Sequence, residues 1–446
     1  MKKNDCSRKE QKKNPGFLLS AISSNSGKTA AACGLMSAFL QNGKCIRACK
    51  CGPDYIDPMF HREVLGIDSK NLDLFFSDEE KLRVGYLRHT LGAELTITEG
   101  VMGFYDGMSL DSVKGSSYDV AQTLGLPVIL VINARGAAMT LVATVKGIVE
   151  FRPDSNIRGI LLNRVSAMLY PRLKEMLENE LARIGHDEIK IVGYMPENEA
   201  FHLESRHLGL VTPQEMENLQ EKVRQAGEIQ AKTVDLELLE QIAGEAAVWK
   251  AEVSEESEKI GSLKSLNYPV RIAVARDEAF CFYYKDNLEL LENLGCEVVE
   301  FSPLRDEKLP DNISGLILGG GYPELYGKQL SENQSMLTSI RKALMQEKIP
   351  CLAECGGFMY LHEEMEDTAG NVWKLVGRIK GRTFPTGKLV RFGYVNLQRN
   401  LDEDQISELK ERMSIADSWI LPGENIRAHE FHYWDSTDSG SDCLAV

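Results

Sequence analysis

Two short runs carry residue types that could do chemistry. The first is Ser26-Gly27-Lys28-Thr29, set between an apolar run and a helix-period segment. Amides at a helix N-terminus point at an anion, a lysine there reaches terminal phosphates, and a hydroxyl ligates Mg²⁺. The full phosphate-loop pattern asks for glycine five residues before Gly27, and Ile22 stands there instead. Strand, SGKT core and helix together still predict a nucleotide site at Ser26, Gly27, Lys28 and Thr29. The bland alternative is a helix N-terminus that binds nothing.

The second run is Ile349-Pro-Cys-Leu-Ala-Glu-Cys-Gly-Gly-Phe-Met-Tyr-Leu. An apolar strand, Cys355, two glycines and a helical run describe a nucleophile elbow, a tight turn that exposes one side chain. A thiol at a helix N-terminus is expected to have a lowered pKa and more thiolate. Arg427-Ala-His-Glu-Phe-His-Tyr offers His429 or His432 as its base. In a strand, positions three apart face opposite ways, so only one of them can point at the thiol. The glycine loop of Leu316-Ile-Leu-Gly-Gly-Gly-Tyr-Pro, with Gly320 and Gly321, joins Gly356 as a source of oxyanion-binding amides. Cys351, inside the apolar strand, reads as core.

Carboxylates gather beside the first run. Asp54 and Asp57 follow a strand in Cys51-Gly-Pro-Asp-Tyr-Ile-Asp-Pro, and Glu99 ends another in Thr98-Glu-Gly-Val-Met-Gly-Phe-Tyr-Asp-Gly, with Asp106 seven residues on. Open α/β sheets bind ligands at the carboxyl ends of their strands, where hard oxygen donors suit Mg²⁺. The alternative for Asp54, Asp57 and Asp106 is turn formation, which is the stronger reading for Asp106-Gly107.

These residues need a frame. Apolar runs at 16–22, 45–50, 94–98, 128–133, 157–163 and 190–193 alternate with helical patterns, as a parallel sheet with crossover helices requires. The helix from Lys28 is expected to close at Gly43. Residues 213–267 are Glu-, Gln-, Lys- and Ala-rich, with two helices (214–226 and 234–246) and then the polar stretch SEESEKIGS. Alternation resumes at 270, continues through 297–301, 315–318 and 350–353, and adds strand pieces at 375–394 and 427–433. The expected division is a tail at 1–15, an α/β domain at 16–212, a helical segment and linker at 213–267, and a second α/β domain at 268–446.

The chain's 446 residues suffice for two or three domains. Its 51 basic against 66 acidic residues give a net charge of −15, a poor basis for general nucleic-acid binding. No run of 18 apolar residues is present, which argues against a spanning helix. The N-terminus is basic with no apolar segment after it, and reads as a solvated tail. Ten cysteines without a C-x-x-C pair suggest a reduced, cytoplasmic protein with mostly buried thiols.

The motifs taken together resemble the cobyrinate a,c-diamide synthase family of glutamine-dependent corrin amidotransferases. They are SSNSGKT, KCGPDYIDPMFH (50–61), TEGVMGFYDG (98–107), the run 282–310, LGGGYPELY (318–326), AECGGFMYL (353–361) and HEFHY (429–433), spread from Gly16 to the end. The resemblance implies a P-loop, dethiobiotin-synthetase-like domain and a class I (triad-type), flavodoxin-like glutaminase domain. It implies that Cys355 attacks the glutamine amide with His432 as base. It also implies that Mg·ATP, served by Lys28 and Thr29, phosphorylates a and c acetate carboxylates of cobyrinate for amidation. Glu99, Asp54, Asp57 and Asp106 would arrange the metal and the substrate carboxylates. Same-chemistry alternatives are hydrogenobyrinate or nickel-sirohydrochlorin as substrate; a different class is a ParA- or MinD-like ATPase switch with an inactive glutaminase. The resemblance leaves room for a homodimer.

Two departures stand out. Ordinary triad glutaminases carry H-x-E, whereas Tyr433 and Trp434 follow His432. The family also implies a few tens of residues beyond Val446, so a shortened C-terminus is expected.

Overall fold

The computed structural model describes residues 14–203, 213–249, 270–399 and 424–446. The expected N-terminal arm (residues 1–13 of it) and the SEESEKIGS stretch lie outside the described residues. The chain divides into two units, Met1–Glu252 and Val253–Val446.

In the first unit the apolar runs become β1 (Gly16–Ala21), β2 (Ile46–Cys51), β3 (Ser69–Leu72), β4 (Leu95–Glu99), β5 (Val128–Asn133), β6 (Ile157–Asn163) and β7 (Lys190–Met195). They form one sheet in the order β3-β2-β4-β1-β5-β6-β7, parallel throughout. Every residue of β1 and β4 is buried, because crossover helices cover both faces of a parallel sheet. Leu18, Val128, Leu130, Ile132, Ile160 and Leu162 share one core cluster. Each such side chain contributes about 1.5–3 kcal/mol on burial.

Only β3 escaped the sequence. Its residues, Ser-Lys-Asn-Leu, carry a single apolar side chain, so nothing in the pattern marks it. It forms as an edge because β2 offers it a free backbone, and Asn71 on it donates to the carbonyls of Gly52 (2.9 Å) and Asp54 (2.6 Å).

Helix α1 (Lys28–Gln41) follows β1 and ends as expected at Gly43, where φ is +76°. There the amide of Gly43 bonds Leu40 O and that of Lys44 bonds Phe39 O, both at 3.0 Å, which satisfies the last carbonyls. The polar helices are observed at Pro213–Thr233 and Leu236–Ala243. They bury Val223, Ala226, Leu239 and Ile242, and Trp249 Nε1 donates to Leu124 O at 2.8 Å. This segment therefore packs on the first unit up to residue 249.

The second unit contains β8 (Arg271–Ala275), β9 (Glu297–Phe301), β10 (Gly315–Leu318), β11 (Cys351–Ala353), β12 (His362–Glu366), β13 (Val372–Lys374), β14 (Ile379–Pro385), β15 (Arg391–Arg399), β16 (Asn425–His432), β17 (Trp434–Ser436) and β18 (Cys443–Ala445). A four-stranded parallel sheet, β11-β10-β8-β9, is accompanied by a second four-stranded sheet, β13-β12-β14-β17, and a three-stranded one, β16-β15-β18. Its core includes Phe280 against Tyr360, with ring centroids 5.2 Å apart. The fold is α/β in both units.

Among the described residues no helix is long and apolar enough to cross a membrane. Eight described cysteines are free, three of them buried. Cys45 is disulfide-bonded, so the expectation of a wholly reduced chain fails at that position.

Candidate active site

Strand order decides which carboxyl ends meet. In the first unit β2, β4 and β1 are neighbours, so the loops after them converge. The loop after β1 turns at Gly27, whose φ of +95° suits glycine. A Cβ there would collide with Asn163 Nδ2, which donates to Ser26 O at 2.9 Å from the end of β6. Lys28 Nζ donates to the carbonyls of Met102 and, at 3.3 Å, Ser23. Thr29 Oγ1 donates to Glu99 Oε1 at 2.6 Å.

Lys50 stands beside Glu99 in the register of β2 on β4. Its ammonium contacts Asp57 Oδ2 at 2.6 Å, Glu99 Oε1 at 3.0 Å and Gly100 O at 3.1 Å. On the other side His61 Nε2 lies 3.5 Å from Glu99 Oε2, with Nδ1 3.0 Å from Ser69 Oγ. Lys50, Asp57, His61 and Glu99 are all buried. The structure thus brings Lys28, Thr29, Asp57 and Glu99 together and adds two residues that site reasoning missed. In the sequence Lys50 reads as strand and His61 as part of a motif, since neither has a local signal for its partner.

Asp54 and Asp106 are placed at the margin. Asp54 Oδ1 accepts from the amides of Ile56 (2.8 Å) and Asp57 (3.0 Å), and Asp106 Oδ2 accepts from Gly103 (2.8 Å). Both close turns. Their charges nonetheless reach the cluster, that of Asp54 bearing on Lys50 and that of Asp106 on Lys28.

The electrostatics follow from burial and pairing. Burial opposes the charge on Glu99, but Lys50, His61 and Thr29 outweigh it and hold this carboxyl below its ordinary range. Asp57, sharing Lys50 with it, is pushed up to about 8 by burial and by the Glu99 charge. The two titrate as a pair in which Glu99 keeps the charge. Burial, then the Lys50 charge, lowers Lys28 to about 8.

Does this oxygen set fit a divalent metal? Glu99 Oε2 is buried and accepts no hydrogen bond, and Glu99, Asp57 and Thr29 supply the hard donors that Mg²⁺ takes beside phosphate. The residues fit. No group of three or more His, Cys, Asp or Glu among the described residues is arranged to hold an ion unaided.

In the second unit β10 and β11 are parallel neighbours, with Leu318 opposite Ala353, so the glycine loop and the elbow adjoin. Cys355 has φ +48° and ψ −110°, a strained conformation at the head of the short helix Gly356–Leu361. A Cβ on Gly357 would run into Leu318 O. A Cβ on Gly320 would lie 3.3 Å from that of Cys355, and one on Gly356 would lie 3.2 Å from the Gly321 amide nitrogen. The amides of Gly356 and Gly321 lie at the sulfur and favour its thiolate. Tyr283 holds the glycine loop to β8, its hydroxyl accepting from the Gly319 amide at 2.9 Å and donating to Ala275 O.

The expectation of a lowered thiol pKa is overturned. Cys355 is exposed by surface area. Even so, its packed surroundings, then the Glu324 charge, push the thiol up, and the two amides only partly offset this. A six-residue helix has too few aligned peptides to reverse that balance.

His429 and His432 do lie on opposite faces. β15 pairs Tyr394 with His429, Phe392 with Phe431 and Arg391 with His432. His429 sits edge-on to the Phe392 and Tyr394 rings, at 5.9 and 5.4 Å, on the aromatic face. His432 shares the other face with Arg391 and Glu430, and its Nδ1 bonds the Trp434 carbonyl at 2.7 Å. Among the described residues no hydrogen bond joins His432 to Cys355. A buried His362, also missed in the sequence, donates from Nδ1 to Phe358 O at 2.9 Å, with Nε2 2.7 Å from Ser436 Oγ. It ties the elbow helix to the strand just past His432.

A phosphate-loop sheet followed by a thiol elbow defines the class: a nucleotide-binding unit joined to a glutamine amidotransferase unit. Residues 17–211 match the CobQ/CobB/MinD/ParA nucleotide binding domain, and residues 271–445 the CobB/CobQ-like glutamine amidotransferase domain. Cobyrinate a,c-diamide synthase of Clostridium tetani is 40% identical over 93% of this chain and 86% of its own. The proteins of that name from Caldanaerobacter subterraneus and Clostridium acetobutylicum are 38% and 39% identical, over 94% and 93% of this chain and 86% of each relative. The chain belongs to the cobyrinate a,c-diamide synthase family. It is a ligase that forms carbon–nitrogen bonds with glutamine as amide donor and uses ATP.

Proposed function

We propose that this enzyme converts the a and c acetate carboxylates of cobyrinate to amides through acyl phosphates. The observation that carries the proposal is the hydrogen bond by which Thr29, next to Lys28 in the phosphate loop, joins the buried Glu99–Lys50–Asp57 cluster. A carboxylate does not react with ammonia until one oxygen becomes a leaving group. Loop amides and the Lys28 ammonium hold the triphosphate; the carboxylate attacks its terminal phosphorus, the bridging P–O bond breaks and ADP leaves, giving the acyl phosphate. Thr29, Glu99 and Asp57 would hold Mg²⁺, which screens charge on the transferring phosphoryl group. Ammonia then displaces phosphate and leaves an amide.

At the other site, Cys355 thiolate adds to the amide carbon of glutamine while the amides of Gly321 and Gly356, with Gly320 beside them, face the oxyanion. The C–N bond breaks and ammonia leaves. Water then hydrolyses the glutamyl thioester to glutamate. His432, with Nε2 free, takes and returns the proton.

The experiment is mass spectrometry of products formed with Mg·ATP, glutamine and a panel of tetrapyrrole acids, hydrogenobyrinate and nickel-sirohydrochlorin among them. Two carboxyl-to-amide conversions on cobyrinate are expected. Conversion of another tetrapyrrole alone, or of none, overturns the substrate assignment.

A further inference from the structure

The Lys50 ammonium occupies the place where a metal would need its oxygens. It is 2.6 Å from Asp57 Oδ2 and 3.0 Å from Glu99 Oε1, and the same Glu99 oxygen accepts from Thr29 at 2.6 Å. These three residues are the donors assigned to Mg²⁺ above. The residue is 4% exposed, so water does little to screen the two carboxylates. Lys28 does not share this task, since its hydrogen bonds go to the carbonyls of Met102 and Ser23.

We propose that Lys50 is a place-holding cation, a reading that rests on the metal–nucleotide function proposed above. In the unloaded enzyme its ammonium sits between the Asp57 and Glu99 carboxyl groups and balances the charge that Glu99 keeps. A divalent ion on the same oxygens repels an ammonium at hydrogen-bond distance, and the repulsion is strong where water is excluded. Metal loading therefore displaces Lys50 from Glu99, and its long, flexible stem lets the ammonium pair with an incoming anion, a substrate carboxylate or its phosphorylated form. The lysine thus couples arrival of Mg·ATP to release of a second cation for the substrate.

Binding of Mn²⁺ by the full-length protein, followed by electron paramagnetic resonance with and without ADP, tests this. Without nucleotide, Lys50→Gln is expected to bind Mn²⁺ at least about tenfold more tightly than wild type. Lys50→Arg is expected to stay as weak as wild type. Equal or weaker binding by a Lys50→Gln protein with a normal unfolding transition overturns the proposal. Should that variant not fold, wild-type crystals with Mn²⁺ and ADP decide. Manganese on Glu99 with Lys50 Nζ moved off Oε1 supports it, and manganese bound with both lysine contacts retained overturns it. Failure of ADP to bring Mn²⁺ into wild type instead overturns the metal–nucleotide reading, and this inference with it.

Discussion

His432 donates its Nδ1 hydrogen to the carbonyl oxygen of Trp434, 2.7 Å away. A carbonyl can only accept, so Nδ1 carries the proton and Nε2 is left with its lone pair. The acceptor belongs to the residue two places after the histidine, where H-x-E glutaminases have their glutamate. Main chain here does the orienting for which others use a carboxylate.

If this pairing sets the base, His432→Ala should lower glutamine-dependent amidation by about 10²–10⁴-fold. Ammonia-dependent amidation should change by less than about twofold, since the histidine acts only on glutamine. Cys355→Ala should abolish the first activity and leave the second. Loss of both in a folded Cys355→Ala protein would mean that the two sites are not separable. Nitrogen-15 spectra showing the Nε2–H tautomer for His432 would remove its assignment as base.

The raised thiol of Cys355 makes a prediction with a definite sign. Thiolate is the attacking species, so the glutaminase rate should rise with pH and keep rising beyond the ordinary thiol pKa of about 8.5. Glu324, pushed up to about 7 by its own burial, is charged in that range and opposes the thiolate. Glu324→Gln should therefore move the alkaline limb to lower pH. A limb that stays put would show that burial alone sets the thiol.

Glu99→Gln leaves Lys50 without its full counter-charge and removes a metal ligand. ATP-dependent amidation should fall by at least about 10²-fold, with glutamine hydrolysis in the other unit retained. The buried ammonium, left with Asp57 and the Gly100 carbonyl, should cost the first unit roughly 1–3 kcal/mol in denaturant titration. Unchanged ATP turnover would sink the assignment of Glu99 to the metal.

Lys28, lowered to about 8, must be protonated to hold a triphosphate. Above that pH the empty site has lost the proton, so ATP affinity should decline as pH rises, by up to about tenfold per unit. Calorimetry at pH 9 in buffers of different ionisation heat should register proton uptake on binding. No uptake would place Lys28 away from the phosphates.

Gly357→Ala forces a methyl group into Leu318 O at the elbow, and a cost of about 3 kcal/mol in the second unit is expected. Gly85→Ala, in the helix Glu79–Thr90 with nothing within 4 Å of the added carbon, should instead stabilise by up to about 1 kcal/mol. Equal effects in thermal unfolding would show that the close approach at the elbow is not tight.

Much of the first unit was legible because its strands are buried on both faces and so read as apolar runs. β3 was not, since an edge strand of polar residues is made by its neighbour. SGKT and the Cys355 elbow were equally legible, each being a contiguous stretch whose backbone geometry is set by its own glycines and flanking elements. For the two histidines, period-two alternation alone told that they face apart, and register then showed His429 among aromatic rings and His432 with Arg391 and Glu430.

The sequence by itself determined which residue types were available and on which strand ends they sit. Tertiary structure decided their partners. Lys50 meets Glu99, 49 residues away, only because β2 pairs with β4 in that register. By type and position Asp54, Asp57 and Asp106 are equivalent in the sequence, yet only Asp57 turns its carboxylate to Lys50, while the other two close turns. The Cys355 thiol rises although it heads a helix, because a charge is governed by all the protein packed around it and the chain neighbours are a small part of that. Contact across a sheet depends on the whole sheet, and no local run of residues contains it.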